Sequence, residues 1–335
     1  MIRFSSPRVV RRRSGAAVLG VILTLGGCSA PPEEAPTDRE DGVSFVVFGD
    51  QPYTDADVDA FPGVVAEVNE TGAPFVIHVG DIKGGSAACT DAVVVGRREM
   101  YRGFAAPMAF TPGDNEWTDC HRAGGRPLER LAFLRDAFFG DDGLPFPPGA
   151  VVQGGPSGDG SEFVENIRWV HEDVVFATAH VVGSMNGLEE FEGRREEDDA
   201  EVARRSEAVG RWVEATFGEA RRIDAAAVVV AAHADVRFDR VARGDAPAEY
   251  RHFLEPLEAG ARAFDGPVLL LQGDTHSCVF DRPAFDEGAG PLENFWRLRV
   301  AGGELQTGWF SVTLRPGSAT PIEVRPRMLR GVCTL

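Results

Sequence analysis

The sequence predicts an α/β protein. Short apolar runs rich in β-branched and aromatic residues alternate with helical stretches. Five of those runs break off in polar turns that hold Asp or His. Setting residues 1–27 aside from 335 leaves 308, enough for one large domain.

The elements read in order. Residues 43–48 (VSFVVF) form a first strand, with a helical stretch near residues 57–69. Residues 75–79 (FVIHV) form the second, before a helix near 91–104, and 108–111 form a shorter third. Residues 128–139 read as an amphipathic helix and 140–160 as a Gly/Pro/Asp loop. Residues 162–170 and 173–182 read as neighbouring strands of a second sheet, turning at His171 and Glu172. A charged insertion over 189–205 leads into a helix running to about Phe217. Residues 225–232 and 267–271 are buried strands, each followed at once by a polar turn holding a His. Residues 295–300, 309–314 and 322–325 finish the chain as antiparallel β. Alternation of strand and helix implies parallel strands with their loops on one edge, and sites in open α/β sheets lie outside the carboxyl ends of the strands.

The N-terminus stands apart. Arg3, Arg8, Arg11, Arg12 and Arg13 precede a short apolar stretch, residues 16–25, too short to span a membrane. Leu25, Gly26, Gly27 and Cys28 resemble the bacterial lipoprotein processing box, which implies cleavage before Cys28 and a lipid on its thiol. The expected divisions are a signal peptide over 1–27, a Pro/Glu-rich tether over 28–42 and a single domain over 43–335. The expected location is outside the cytoplasm, facing periplasm or exterior, with the lipid as the only membrane attachment.

The whole chain carries −18. Removing the five Arg of residues 1–27 leaves 29 basic side chains against 52 acids, about −23. Such a charge argues against nucleic acid as a partner. It also leaves carboxylates in supply for divalent cations. Cys89, Cys120, Cys278 and Cys333 remain after Cys28, an even count that in an exported chain suggests disulfides. Of the three pairings, Cys89–Cys120 with Cys278–Cys333 is preferred; the first would hold two site loops together.

The chemistry sits in the turns. Gly49 and Asp50 (FGDQPY), Gly80 and Asp81 (HVGDIK), Gly113, Asp114, Asn115 and Glu116 (TPGDNEW), His233 (VVVAAHAD), and Gly273, Asp274 and His276 (LQGDTH) each follow an apolar strand. Strands that share a direction bring such ends together, and a Gly before the Asp lets the backbone turn the carboxylate inward. Carboxylates with imidazoles suit Mn, Fe, Zn or Mg. Two ions about 3.5–4 Å apart clamp the attacking and leaving oxygens of a phosphate ester.

In order and spacing these motifs resemble the calcineurin-like metallophosphoesterases over residues 43–280. That family reads Asp-x-His, Gly-Asp, Gly-Asn-His-Asp/Glu, a lone His, then Gly-His-x-His. The resemblance implies an α/β/β/α sandwich of two mixed sheets flanked by helices. It implies two divalent ions and hydrolysis of phosphate mono- or diesters by a metal-activated hydroxide. Asp50 would bind the first metal and Asp81 bridge both. Asp114 stands at the family's ligating Asn, and His233 at the lone His. Asp274 stands at the first His of the last motif and His276 at the second, a ligand of the first metal.

The departures are specific. Pro52 replaces a ligating His, with Tyr53 the nearest substitute ligand. Asn115 replaces the catalytic His that serves as acid, leaving Asn115 to orient substrate. Asp274 replaces a His, so harder ions than zinc are favoured. These losses motivate a second reading, a non-catalytic binding lipoprotein with a degenerate site.

Lys83 is the only lysine in the chain and follows Asp81 by two residues, so it is expected to hold a phosphate oxygen. His121 and Arg122, after the third motif, and His180, before Gly183–Gly187, are candidate substrate contacts. His78 reads as a core residue, His171 as a hairpin residue and His252 as a helix-surface residue. The charged run 194–201 reads as a solvated helix face.

Overall fold

The computed structural model describes residues 42–154, 163–288 and 290–335. The signal peptide, Cys28 and nearly all of the tether lie outside the described residues, as do residues 155–162 at the end of the expected loop.

Local sequence sets the helices. Thr54 caps Asp55–Thr71 in a reciprocal box with Asp57, and Gly72 closes it in the left-handed region. Thr90 caps Asp91–Tyr101, and Pro127 opens Pro127–Phe139 at a position where a missing N–H costs nothing. The two long C-terminal helices are Glu196–Arg222 and Arg251–Arg262.

Twelve strands follow in chain order. They are β1 (Val43–Phe48), β2 (Val76–His78), β3 (Met108–Phe110), β4 (Val151–Val152), β5 (Ile167–His171) and β6 (Val174–Thr178). Then come β7 (Ala227–Ala231), β8 (Val268–Gln272), β9 (Val279–Asp281), β10 (Phe295–Arg299), β11 (Thr307–Leu314) and β12 (Ile322–Arg330). They make two mixed sheets, in the orders β12-β11-β1-β2-β3 and β4-β5-β6-β7-β8-β10-β9. The expected α/β architecture of two mixed sheets flanked by helices is present.

Alternation along the strands builds the layers. Phe45 and Val47 of β1 face the second sheet, where they join Phe176, Val229, Leu269 and Leu271. Val46 and Phe48, one residue out of step, face Phe61, Val64, Leu131 and Leu134 on the helices outside the first sheet. Val228 and Val230 of β7 likewise meet Val209, Val213, Phe217 and Phe253 on the far side of the second. The central strands of both sheets are therefore buried on both faces, which is why they read as unbroken apolar runs.

Three expectations are corrected. Residues 295–300 do not join a terminal antiparallel meander: β10 runs parallel to β8 in the second sheet, antiparallel only to β9. The loop over 140–160 contains β4, and β9 follows the last motif; both are too short to show a period. The charged run 194–201 is not all solvated: Glu201 is buried and pairs with Arg205, itself fully buried.

The cysteines pair as preferred, Cys89–Cys120 and Cys278–Cys333, each with Cα atoms 5.6 Å apart. Closing loops of 31 and 55 residues stabilises by about 2–4 kcal/mol each. No helix among the described residues is long and apolar enough to cross a membrane.

Between the sheets, Phe176 packs edge-on against Phe45 at 5.3 Å and Phe75 at 4.9 Å, and stacks on Trp169 at 5.2 Å. Phe176→Ala should therefore cost about 3–5 kcal/mol in a urea melt. A loss under about 1 kcal/mol would show that the sheets do not bear on each other there.

Candidate metal centre

Strands β1, β2 and β3 run parallel, as do β6, β7 and β8. Their carboxyl ends therefore deliver side chains to one edge of the sandwich. Asp50 follows β1 by two residues, Asp81 follows β2 by three and Asp114 follows β3 by four. His233 and Asp274 each follow their strands by two. Ligand atoms of Asp50, Asp81 and His233 lie within 4.8 Å of one another, as do those of Asp114, His233 and Asp274.

One imidazole serves both groups. His233 Nδ1 meets the Val79 carbonyl at 2.7 Å, which points Nε2 at Asp114 Oδ1, 3.1 Å away, and Asp81 Oδ1, 3.4 Å away. His276 Nε2 lies 3.5 Å from Asp50 Oδ1 and 3.2 Å from the Tyr53 hydroxyl. Tyr53 donates to Asp81 Oδ2 at 2.6 Å, and the Asn115 amide reaches the same oxygen at 2.5 Å. Tyr53, next to Pro52, thus brings its hydroxyl to the centre.

The backbone is strained where the ligands sit. Asp50, Asp81, Asp274 and His276 have φ of 54°, 62°, 73° and 57°. Left-handed geometry costs a non-glycine residue roughly 1–2 kcal/mol, and persists only where surroundings over-determine it. This revises the expected part of glycine in these turns. At Asp50 and Asp274 the Asp itself makes the left-handed turn, and the glycine beside it makes room. A Cβ on Gly273 would strike the Asp50 carboxylate, and one on Gly113 would strike that of Asp81.

These features fit a divalent cation. Asp50 Oδ2 is buried without a hydrogen-bond partner, and the donors are hard oxygens with imidazole nitrogen. Without a cation the charges conflict. Burial, with repulsion from Asp274, pushes Asp50 up to about 8, and burial lifts Asp274 to about 6. Burial likewise raises Asp81 well above the usual carboxylate range. Burial also opposes charge on His233, yet Asp81, Asp114 and Asp50 outweigh it and hold the imidazolium well above its ordinary value. Asp114 alone is held down, to about 2, because the His233 and Ser184 hydrogen bonds overcome its burial.

Other residues act from behind. Glu116 is buried beneath the centre and accepts from the Asp81 N–H at 3.1 Å and the Gly113 N–H at 2.6 Å. Ser184 spans Asp114 Oδ2 at 2.7 Å and Asp119 Oδ1 at 2.8 Å. The Asp235 N–H donates to Asp274 Oδ2 at 2.9 Å. Sequence reasoning gave none of these three a role, although Glu116 stands inside a quoted motif and Ser184 inside the flagged Gly183–Gly187 turn.

The centre opens into a cavity of about 960 Å³. Tyr53, Asp81, Asp114, Asn115, Asp274, His276 and Arg122 line it. Three candidate contacts do not. Lys83 is buried beneath the wall, its amine donating to the Gly84 carbonyl at 3.1 Å, so it faces the carboxylates rather than a substrate. His121 turns away, stacked on Phe191 with centroids 4.6 Å apart. His180 is fully buried and bonds Glu165 at 2.6 Å. His78 is a core residue, bonded to the Tyr101 hydroxyl at 2.9 Å. His252, expected on a helix surface, is half-buried, with Nε2 left without a partner.

No protein-family model matches the chain, and no curated protein matches it.

Protonation of the centre sets a pH dependence. Asp50 moves from 3.8 to about 8 on folding and Asp274 from 3.8 to about 6. Between about pH 4 and 8 these two carboxyls thus hold more protons in the metal-free fold than in the unfolded chain, and their contribution to stability falls as pH rises; buried His78 and His252, held down to about 3 and about 4, oppose this only below the ordinary imidazole range. His233, raised above 6.5, adds to the fall on the alkaline side. Chelator-treated protein should melt at a lower temperature at pH 8 than at pH 7, and millimolar Mn should reverse the loss. A melting temperature that climbs between those values would contradict this charge balance.

Proposed function

We propose that this protein is a metal-dependent hydrolase of phosphate mono- or diesters at the bacterial cell envelope, related to the calcineurin-like metallophosphoesterases. One observation carries the reading: five strand ends bring four Asp and one His to a single pocket beneath an open cavity. The order of those residues along the chain, matching the family's, adds to it. The two disulfides suit an oxidising compartment. With the Cys28 processing box, they support export and a lipid anchor.

Asp50, Asp81, Asp114, His233, Asp274 and His276 would hold the divalent ions, which would supply Lewis acidity toward a phosphoryl oxygen and a water. The chain's own groups do the rest. Asp81 keeps one oxygen toward His233 and the other toward Tyr53 and Asn115, so its carboxylate cannot rotate. The Asn115 amide lines the cavity with its N–H groups given to Asp81 Oδ2 and the Tyr53 hydroxyl, so it positions those two groups and carries no transferable proton. Lys83 offsets the carboxylates from beneath.

Purified protein should hold stoichiometric Mn, Fe or Zn and hydrolyse nitrophenyl phosphate. Asp81→Asn and His233→Ala should each lower that rate by about 100-fold or more. Absence of both bound metal and turnover after metal addition would overturn the reading and favour a binding lipoprotein, the alternative that the Asn115 replacement motivates.

Lacking an acid at Asn115, the enzyme should depend on good leaving groups. Nitrophenyl phosphate should turn over at least about 100-fold faster than an alkyl phosphate, and Asn115→His should narrow the gap. Equal rates for the two esters would count against this mechanism.

A further inference from the structure

The walls of the cavity decide which esters can reach the centre. Recognition of a second phosphate or carboxylate calls for free cationic side chains. Among the described residues that line the cavity, Arg122 is the only Arg or Lys. Its guanidinium is already engaged by Asp119 and by Glu189, the latter at 2.6 Å. Across the mouth, Glu304 lies on the turn whose Gly303 packs against the His276 ring. The rim thus carries two acids, Asp119 and Glu304, against one base, which Glu189 also neutralises from outside the cavity. Cations bound at the centre would attract one phosphoryl group inward, while the rim repels any further negative charge.

Size and polarity add to this. A volume of about 960 Å³ far exceeds a phosphate ion and has room for both alcohols of a diester. Leu305 and Val332, 79% and 76% exposed, stand at the same mouth and offer an apolar wall.

We propose, resting on the phosphoesterase reading above, that the site selects phosphodiesters with a single negative charge at phosphorus and a second alcohol that is cationic or uncharged. It rejects nucleotides and other esters that carry further phosphates or carboxylates. In the reaction a water oxygen bonds to phosphorus as the bond to the leaving alcohol breaks. That alcohol leaves with one proton of the water, and a phosphate monoester remains.

The test uses three p-nitrophenyl phosphodiesters that differ only in the second alcohol: choline, ethanol and 3-hydroxypropanoate. With Mn-loaded protein at low salt, kcat/KM for the choline and ethyl esters should exceed that for the carboxylate ester by about fivefold or more. The gap should shrink at high salt. Calorimetric binding of the matching methylphosphonate monoesters should follow the same order whether or not any ester is hydrolysed. Glu304→Gln should bring the choline and carboxylate ligands to within about twofold of each other. Carboxylate ligands binding as tightly as choline ligands, or ATP binding more tightly than either, would overturn the proposal. Binding in the stated order without hydrolysis would instead overturn the phosphoesterase reading and leave the charge selection standing.

Discussion

Buried negative charge at the shared edge of the two sheets is the constraint on which the rest depends. Asp50, Asp81, Asp114, Asp274 and Glu116 crowd into one pocket with His233 as the imidazole common to both ligand groups and Lys83 beneath. In a poorly solvated site such a group must take up protons or cations. Asp50 and Asp81 are driven toward the protonated form, while Asp114 stays ionised against His233. The fold resists relaxing this tension because the four Asp are fixed from four different strands, and the strands are locked between two layers of helix.

Support for the pocket is drawn from distant parts of the chain. The Cys89–Cys120 bridge joins the segment after Asp81 to the segment after Asp114. Cys278–Cys333 ties the chain's end to the loop of His276. On the side of the second sheet, Ser184, Met185 and Asn186 all adopt positive φ, at 48°, 58° and 58°. Arg205, inside the long helix Glu196–Arg222, holds that turn by bonds to the Asn186 side chain at 2.6 Å and its carbonyl at 2.9 Å. Ser184 is thereby kept against Asp114 and Asp119. The charged insertion that reads as surface is in part the clamp on this turn.

What was legible in the sequence divides along physical lines. Strands buried on both faces announce themselves as apolar runs, so β1, β7 and β8 and the polar residues just past their ends could be placed. Parallel direction then implied that Asp50, Asp81, Asp114, His233 and Asp274 meet, which geometry alone decides. Orientation beyond the strand ends was not legible. His180 follows its strand as closely as the ligands do, and Lys83 follows its strand one residue further than Asp114 does, yet both point into protein, His180 toward Glu165 and Lys83 toward the Gly84 carbonyl. Glu116 and Ser184 act through backbone N–H groups and carboxylates far away in sequence, which leaves no local pattern. Strands of two or three residues, such as β4 and β9, are shorter than any period.

The burial of Lys83 has an outcome beyond the centre itself. Every other basic side chain in this protein is a guanidinium. The described surface therefore presents no primary amine to the medium. Aldehydes, activated esters and reducing sugars, which modify proteins chiefly at lysine, meet almost nothing to react with. Among the described residues, amine-directed labelling or fixation would leave the surface nearly unmarked, the one lysine screened by the same wall that shapes the cavity.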